Sequence, residues 1–140
     1  MRGSDGRFIR AFTVNLGGGS ITRAELAGIV YGLDLAWEQG ARKVLLQTDS
    51  ITAKTLIDNA TEQHMHFTQV TEIRRRLHRG WTVRIDHVFR EANFAADHLA
   101  SIGHSKPIGV HVMDRPCTSL LYWLYFDRVG SETPRFIRMQ

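Results

Sequence analysis

Two kinds of apolar spacing alternate along the first hundred residues, and their order constrains the fold more than any other feature. A spacing of two residues, or a short continuous apolar run, predicts a strand, and a spacing of three and four predicts a helix. The patterns follow one another as strand, helix, strand, two helices, strand and helix. This order favours an α/β fold in which helices pack in layers against a sheet.

Three segments have the pattern of a strand. Phe8 to Leu16 has apolar residues at even positions, which predicts a strand. Lys43 to Thr48 is a nearly continuous apolar run, as expected for a strand covered on both faces. Trp81 to His87 alternates apolar and polar residues, which predicts a half-buried strand.

Four segments have helical spacing. The first opens with Thr22 and Glu25, which have the spacing of a capping box. Two glycines, Gly40 and Gly103, are predicted to stop the first and the last helix. The other three helices are predicted at about Ile51 to Asn59, Met65 to Leu77 and Asn93 to Ile102.

The length of 140 residues suits one domain with a core that needs no disulfide bonds. The single cysteine, Cys117, excludes a disulfide framework and any zinc site with several cysteines, and it fits an intracellular location. The longest apolar run, Leu120 to Phe126, is far shorter than the roughly 20 residues that span a bilayer. We therefore expect a soluble protein without a membrane partner.

The pattern changes after residue 104. Three prolines, Pro107, Pro116 and Pro134, flank Leu120 to Phe126, which has the character of an apolar strand. We interpret this part as an appendage. The predicted organisation is a domain over residues 1–104 and a C-terminal extension over residues 105–140.

Positive charge is in excess, with 18 Lys and Arg against 14 Asp and Glu, and most cations are arginines. Arginine suits a partner that carries phosphates. A basic cluster, Arg74, Arg75, Arg76 and Arg79, lies at the predicted C-terminal end of the third helix. These side chains either contact phosphates or form an ordinary solvated helix end, where cations suit the helix dipole.

Three carboxylates occupy positions where a metal site could form. Glu25 and Asp97 lie near predicted helix starts, and Asp49 follows the Lys43 to Thr48 strand. Ligands of open α/β sheets bind beyond the carboxyl ends of strands, and several carboxylates suit Mg²⁺ or Mn²⁺. Each residue could instead have a structural role in its own helix. Glu25 completes the capping box, and Asp97 suits the helix dipole. Asp49 or Ser50 could cap the next helix.

Three motifs and one lead-in resemble a known family. They are ITRAEL at Ile21–Leu26, QTDS at Gln47–Ser50 and NFAADHLA at Asn93–Ala100, with HVFREAN at residues 87–93 leading into the last. In this order and spacing they resemble the type 1 ribonuclease H domain, in the reverse-transcriptase-like form of plant retroelements. The resemblance covers about residues 5–104.

The resemblance implies a three-layer ribonuclease H-like fold with a mixed sheet between helices. It also implies an endonuclease that uses two Mg²⁺ ions and four carboxylates to cut the RNA strand of an RNA/DNA hybrid. Glu25, Asp49 and Asp97 correspond to metal-binding catalytic carboxylates, and His87 corresponds to a histidine that assists product release. His87 could equally be a strand-end residue that continues the apolar face.

The resemblance also suggests residues that bind nucleic acid. Asn93 corresponds to a position near the active-site crevice, although asparagine is also a good helix N-cap. Ser50 follows the second-strand aspartate. With Arg74, Arg75 and Arg76, these residues are the predicted contacts to the hybrid.

The resemblance starts after the first two strands of the family. The first catalytic aspartate is therefore expected to be missing, and we do not assign its role to Asp5. Loss of two central strands would expose strand edges through which the chain could associate with itself. Two functions stay open: a hybrid-specific ribonuclease, or a noncatalytic module that binds nucleic acid or a protein partner.

Overall fold

The computed structural model describes residues 1–89 and 93–130. Residues 90–92, which belong to the HVFREAN lead-in, and residues 131–140 of the predicted extension lie outside this part. The chain divides into two compact units, which we describe separately. Unit 1 contains residues 1–17 and 88–140, and unit 2 contains residues 18–87.

The described elements confirm the predicted α/β class and the order of the first seven elements. Two further elements, β4 and α5, follow them. The elements are β1 Ala11–Asn15, α1 Ile21–Glu38, β2 Lys43–Thr48, α2 Ile51–Asn59, α3 Phe67–Leu77, β3 Thr82–His87, α4 Phe94–Gly103, β4 Gly109–Met113 and α5 Thr118–Gly130.

The described strands form two separate two-stranded sheets. In unit 2, β2 and β3 are parallel, and in unit 1, β1 and β4 are antiparallel. The parallel and antiparallel pairs that a mixed sheet combines are therefore both present, although the described strands form two sheets instead of one.

Self-association at strand edges stays a prediction. The exposed Val110 and Val112 on β4 make that strand the one to test.

The core of unit 2 lies between its helices and its parallel sheet. Leu26 and Leu33 of α1 and Val70 and Ile73 of α3 are completely buried. The predicted strand and helix at β2 and α2 have the observed bounds. The apolar spacing therefore predicted these core residues correctly, because α1 and α3 each direct one row of apolar side chains inward.

The predicted capping box of α1 is wrong. Ser20 is the N-cap, and its Oγ accepts a hydrogen bond of 3.1 Å from the backbone N–H of Arg23. Glu25 lies in the second turn instead of the first. At the other end, Gly40 follows the helix with a φ of 83°, as the predicted stop requires.

Unit 1 packs α4 and α5 against the β1–β4 sheet. The strand predicted at Phe8 to Leu16 is confirmed over the shorter range of β1, in which Ala11 and Thr13 at odd positions are the buried residues. The Thr13 hydroxyl donates a 2.7 Å hydrogen bond to the Leu99 carbonyl of α4. Small side chains on this face let α4 approach the strand closely. Alternation identifies two faces of a strand, but not which one a helix covers.

The predicted strand character of Leu120 to Phe126 is also wrong, because these residues lie in α5. Leu120 is completely buried with Ala11 and Ala95, and Leu124 packs against the same cluster. The four-residue spacing of Leu120 and Leu124 puts both on one helix face. Together with the β1–β4 pairing, these contacts integrate the described part of the predicted appendage into unit 1. The domain boundary at residue 104 stays a prediction.

Gly103 is the last residue of α4 and is not the predicted left-handed stop. A Cβ atom there would collide with Thr13 Oγ1 and lie 3.0 Å from the Val14 carbonyl oxygen. We therefore expect Gly103→Ala to lower the free energy of unfolding by about 1–3 kcal/mol, measured by urea denaturation.

Gly28→Ala is the matched control for this substitution. Gly28 lies within α1, where no described atom outside its own helix turn and neighbours lies within 4 Å of an added Cβ. Alanine should stabilise this helix by up to about 1 kcal/mol. Equal stabilisation by both substitutions would contradict the close packing of α4 on β1.

Candidate functional site

The carboxyl end of β2 leads directly into the N-terminus of α2. Ser50 caps α2, because its Oγ accepts a 3.0 Å hydrogen bond from the Ala53 N–H. The Ser50 N–H donates to Thr48 Oγ1 at 3.1 Å and closes a short turn around Asp49. Of the two predicted caps of this helix, Ser50 is the observed one. The half-buried Asp49 lies at the strand end where the sequence placed it.

Glu25 reaches the same edge of unit 2 from α1. The Ser50 hydroxyl donates a 2.6 Å hydrogen bond to Glu25 Oε2. This bond joins the carboxylate of Glu25 to the residue that follows Asp49, so two of the three predicted carboxylate residues lie at the same edge of unit 2. The contact between Ser50 and Glu25 was missed by the sequence analysis, because no local pattern links residues 25 positions apart.

His87 is the last residue of β3 and stands opposite Thr48 in the parallel register. It therefore lies at the same carboxyl edge of the sheet as the residue before Asp49. The side chain is half-buried, which fits both the catalytic and the strand-end interpretation. Its role stays a prediction.

Asp97 and Asn93 belong to unit 1. Asn93 is the N-cap residue of α4, but its side chain makes no cap hydrogen bond, so the predicted side-chain cap is wrong. Its carbonyl accepts a 3.0 Å hydrogen bond from the Asp97 N–H instead. Asp97 is exposed in the first turn of α4, where a negative charge suits the helix dipole.

The donor set of unit 2 fits a hard divalent cation. Mg²⁺ commonly takes one or two protein carboxylates and completes its shell with water and substrate phosphates. Glu25 and Asp49 provide two such carboxylates at one edge. Within residues 1–89 and 93–130, no group of three or more His, Cys, Asp or Glu side chains is arranged to hold a metal ion.

The predicted basic cluster is largely engaged in contacts within unit 2. Arg74 donates to the carbonyls of Ile57 and Ala60, both at 3.0 Å, and so satisfies the C-terminal end of α2. The Arg76 side chain is only 16% exposed and pairs with Asp34. Arg75 is 68% exposed, although it pairs with Glu72 on its own helix, and it is the most accessible of the three predicted contacts. The remaining pairs are Arg76 with Glu72 and Arg79 with Asp34.

Comparison with known proteins identifies the family. The family described as reverse transcriptase-like matches residues 1–103. The chain belongs to this reverse transcriptase-like, ribonuclease H-like family. An Arabidopsis thaliana protein named "Putative ribonuclease H protein" is 35% identical over 140 residues, which cover 99% of this chain and 23% of that protein. The chain therefore spans about a quarter of the length of this curated relative. No solved structure matches the chain.

Membership of the ribonuclease H-like family confirms the resemblance of the three motifs. Domains of this family bind nucleic acids and generally use divalent metals, which agrees with the excess of arginine and with the carboxylates at the β2 edge. Within the described ranges 1–89 and 93–130, no helix is long and apolar enough to cross a membrane.

Asp34 anchors the arginines of this ribonuclease H-like chain. Its burial raises the pKa of the carboxyl group, but hydrogen bonds and charge from Arg76 and Arg79 outweigh that effect and hold the pKa below 3.8. The contribution of this carboxylate to the stability of the fold is therefore complete above about pH 4. It is lost as the pH falls through the lowered pKa of Asp34. No local sequence pattern predicts this role, because 42 residues separate Asp34 from Arg76.

We expect Asp34→Asn to flatten the acid dependence of stability. The free energy of unfolding of the wild-type chain should fall more steeply than that of Asp34→Asn between about pH 4 and pH 2, measured by urea denaturation. Asp58→Asn, which changes an exposed carboxylate paired with Lys54, is the control. Identical pH profiles for wild type and Asp34→Asn would contradict the assigned role of Asp34.

Proposed function

We propose that this chain is a ribonuclease H domain that cuts the RNA strand of RNA/DNA hybrids with Mg²⁺, for which Mn²⁺ can substitute. The observation that carries the proposal is the arrangement at the carboxyl end of β2. There, Ser50 binds the carboxylate of Glu25 immediately beside Asp49. Carboxylates at a strand end are suited to metal-assisted cleavage of a phosphodiester.

The proposal gives each predicted site residue one role. Glu25 and Asp49 hold the metal, and Asp97 is assigned the third carboxylate position because it matches the family motif. A bound divalent metal would activate water and stabilise the leaving oxygen. His87, at the same sheet edge as Thr48, is assigned a role in assisting product release.

Binding of the hybrid is assigned to residues around this edge and to α3. Arg75 is the proposed phosphate contact because it is the most exposed of the three predicted arginines. Arg74 and Arg76 support that surface by fixing α2 and α1. Asn93 and Ser50 remain proposed contacts to the nucleic acid. Phosphate contacts of this kind weaken as salt rises and do not read base sequence.

A cleavage assay tests the proposed activity. The 140-residue chain, shown to be folded by circular dichroism, is incubated with a labelled RNA/DNA hybrid in Mg²⁺, Mn²⁺ or EDTA. We expect cut RNA with either metal and intact RNA in EDTA. Single-stranded RNA, duplex RNA and duplex DNA are the substrate controls. Intact hybrid in the presence of both metals and a folded chain would overturn the catalytic proposal.

A second candidate function is metal-independent binding of nucleic acid. It is favoured by the finding that no group of three potential ligands is arranged for a metal in residues 1–89 and 93–130. Affinity for the hybrid, measured by fluorescence anisotropy, should then fall steeply between 50 and 200 mM salt and be the same in EDTA and Mg²⁺. Affinity that does not change with salt would exclude phosphate-driven binding.

A further inference from the structure

Ser50 is only 8% exposed and makes three hydrogen bonds besides the helical bond that its carbonyl accepts from the Lys54 N–H at 3.2 Å. Its N–H donates to Thr48 Oγ1 at 3.1 Å, its Oγ accepts from the Ala53 N–H at 3.0 Å, and its hydroxyl donates to Glu25 Oε2 at 2.6 Å. The direction of the last bond follows from the chemistry of the partners. A backbone N–H can only donate and an ionised carboxylate can only accept, so the hydroxyl proton lies toward Glu25.

This arrangement distinguishes the two oxygens of Glu25. Oε2 accepts the hydrogen bond from the Ser50 hydroxyl. Oε1 is the oxygen that this bond leaves available to a cation. The series from the Ala53 N–H through the Ser50 hydroxyl to Oε2 is a cooperative chain of hydrogen bonds. It joins the first turn of α2 directly to the carboxylate of Glu25.

The backbone of Ser50 acts on the other carboxylate. The bond from the Ser50 N–H to Thr48 Oγ1 spans Asp49 and fixes the turn that carries this residue out of β2. One residue therefore constrains Asp49 through its backbone and Glu25 through its side chain. A displacement of Ser50 would move both carboxylates, whereas a helix cap alone needs only the bond to Ala53.

We propose that Ser50 is a positioning residue, which presents Glu25 Oε1 and the Asp49 carboxylate together to one divalent cation. This inference rests on the proposed function, because it assumes that the two carboxylates share a metal. Outer groups that orient metal ligands typically contribute 10–100-fold to metal affinity or activity. Ser50 is thus assigned a role beyond both the helix cap and the predicted contact to nucleic acid.

Ser20 offers a matched control for the cap. It caps α1 with the same geometry, since its Oγ accepts a 3.1 Å hydrogen bond from the Arg23 N–H. In the part of the chain that the structure describes, the side chain of Ser20 has no bond to a carboxylate. Ser20→Ala therefore removes a serine cap without touching Glu25, whereas Ser50→Ala removes a cap and the contact to Glu25.

The experiment measures Mn²⁺ affinity and thermal stability of the full 140-residue chain. Free Mn²⁺ is followed by electron paramagnetic resonance during titration of wild type and four variants: Ser50→Ala, Ser50→Gly, Ser50→Thr and Ser20→Ala. We expect Kd for Mn²⁺ to rise at least about 10-fold in the alanine and glycine variants of Ser50. Threonine, which keeps the hydroxyl, should restore Kd to within about threefold. Ser20→Ala should lower Tm but leave Kd unchanged.

The outcomes separate this inference from the proposed function. If wild type binds Mn²⁺ and Ser50→Ala and Ser50→Gly bind equally well, Ser50 is only a cap and the inference is wrong. An equal loss of affinity in Ser20→Ala would also overturn it, because the effect would then follow general stability. Glycine costs a helix N-cap only a few tenths of a kcal/mol, so Ser50→Gly guards against unfolding of the alanine variant. If wild type itself does not bind Mn²⁺, the proposed function fails and the inference fails with it.

Discussion

Asp49→Asn is expected to lower the rate of hybrid cleavage about 1,000-fold or more while the fold remains intact. Asparagine keeps the shape of the side chain but removes the negative charge that a divalent cation requires. A metal carboxylate contributes several kcal/mol of transition-state stabilisation, and each 1.36 kcal/mol corresponds to a tenfold change in rate. Because Ser50 caps α2, the substitution leaves the helix start in place.

The measurement is single-turnover cleavage of a labelled hybrid in saturating Mg²⁺, with circular dichroism of each variant. Asp58→Asn is the matched control, since it makes the same chemical change in α2 at an exposed residue that pairs with Lys54. Its rate should stay within about twofold of wild type, as expected of a surface substitution. If Asp49→Asn keeps more than a tenth of the wild-type rate, Asp49 is not a metal ligand.

Leu120→Ala is expected to destabilise unit 1 by about 2–5 kcal/mol. Leu120 is completely buried against Ala11 and Ala95, so alanine loses its apolar contacts and leaves a cavity. The two small neighbours cannot fill that space with their own side chains. This effect is large because α5 supplies the one completely buried large side chain in the described part of this cluster.

Leu121→Ala is the control, because the neighbouring Leu121 is 52% exposed on the same helix. Its effect should lie within about 0.5 kcal/mol. Urea denaturation of chains labelled with fluorotryptophan separates the units, since Trp123 lies in unit 1 and Trp37 and Trp81 lie in unit 2. A normal unfolding midpoint for Trp123 in Leu120→Ala would mean that α5 does not stabilise unit 1.

Local signals in the sequence were sufficient for several elements. The bounds of β2 and α2 were predicted correctly, because a continuous apolar run and a following serine cap are encoded within a few residues. The helix α3 was predicted two residues too long at its start, where His66 occupies the N-cap without a side-chain bond. Boundaries without a capping contact carry little local information.

Apolar periodicity does not determine which residues tertiary packing buries. The even face of β1 looked more apolar, yet α4 covers the odd face, where Ala11 and Thr13 leave room for close approach. The run Leu120 to Phe126 is apolar at consecutive positions, so its spacing could not distinguish a buried strand from α5. The contact of Leu120 with the core of unit 1 is what selects the helix face.

The sequence by itself determined the α/β order, the ribonuclease H-like family and the carboxyl-end position of Asp49, because each depends on motifs within short segments. Only the tertiary structure decided which groups meet. It excluded the capping role of Glu25, joined that carboxylate to Ser50, and paired Asp34 with Arg76 and Arg79. Such contacts form between residues that are far apart in the chain. The packing of the helices brings these residues together, and no local sequence pattern predicts it.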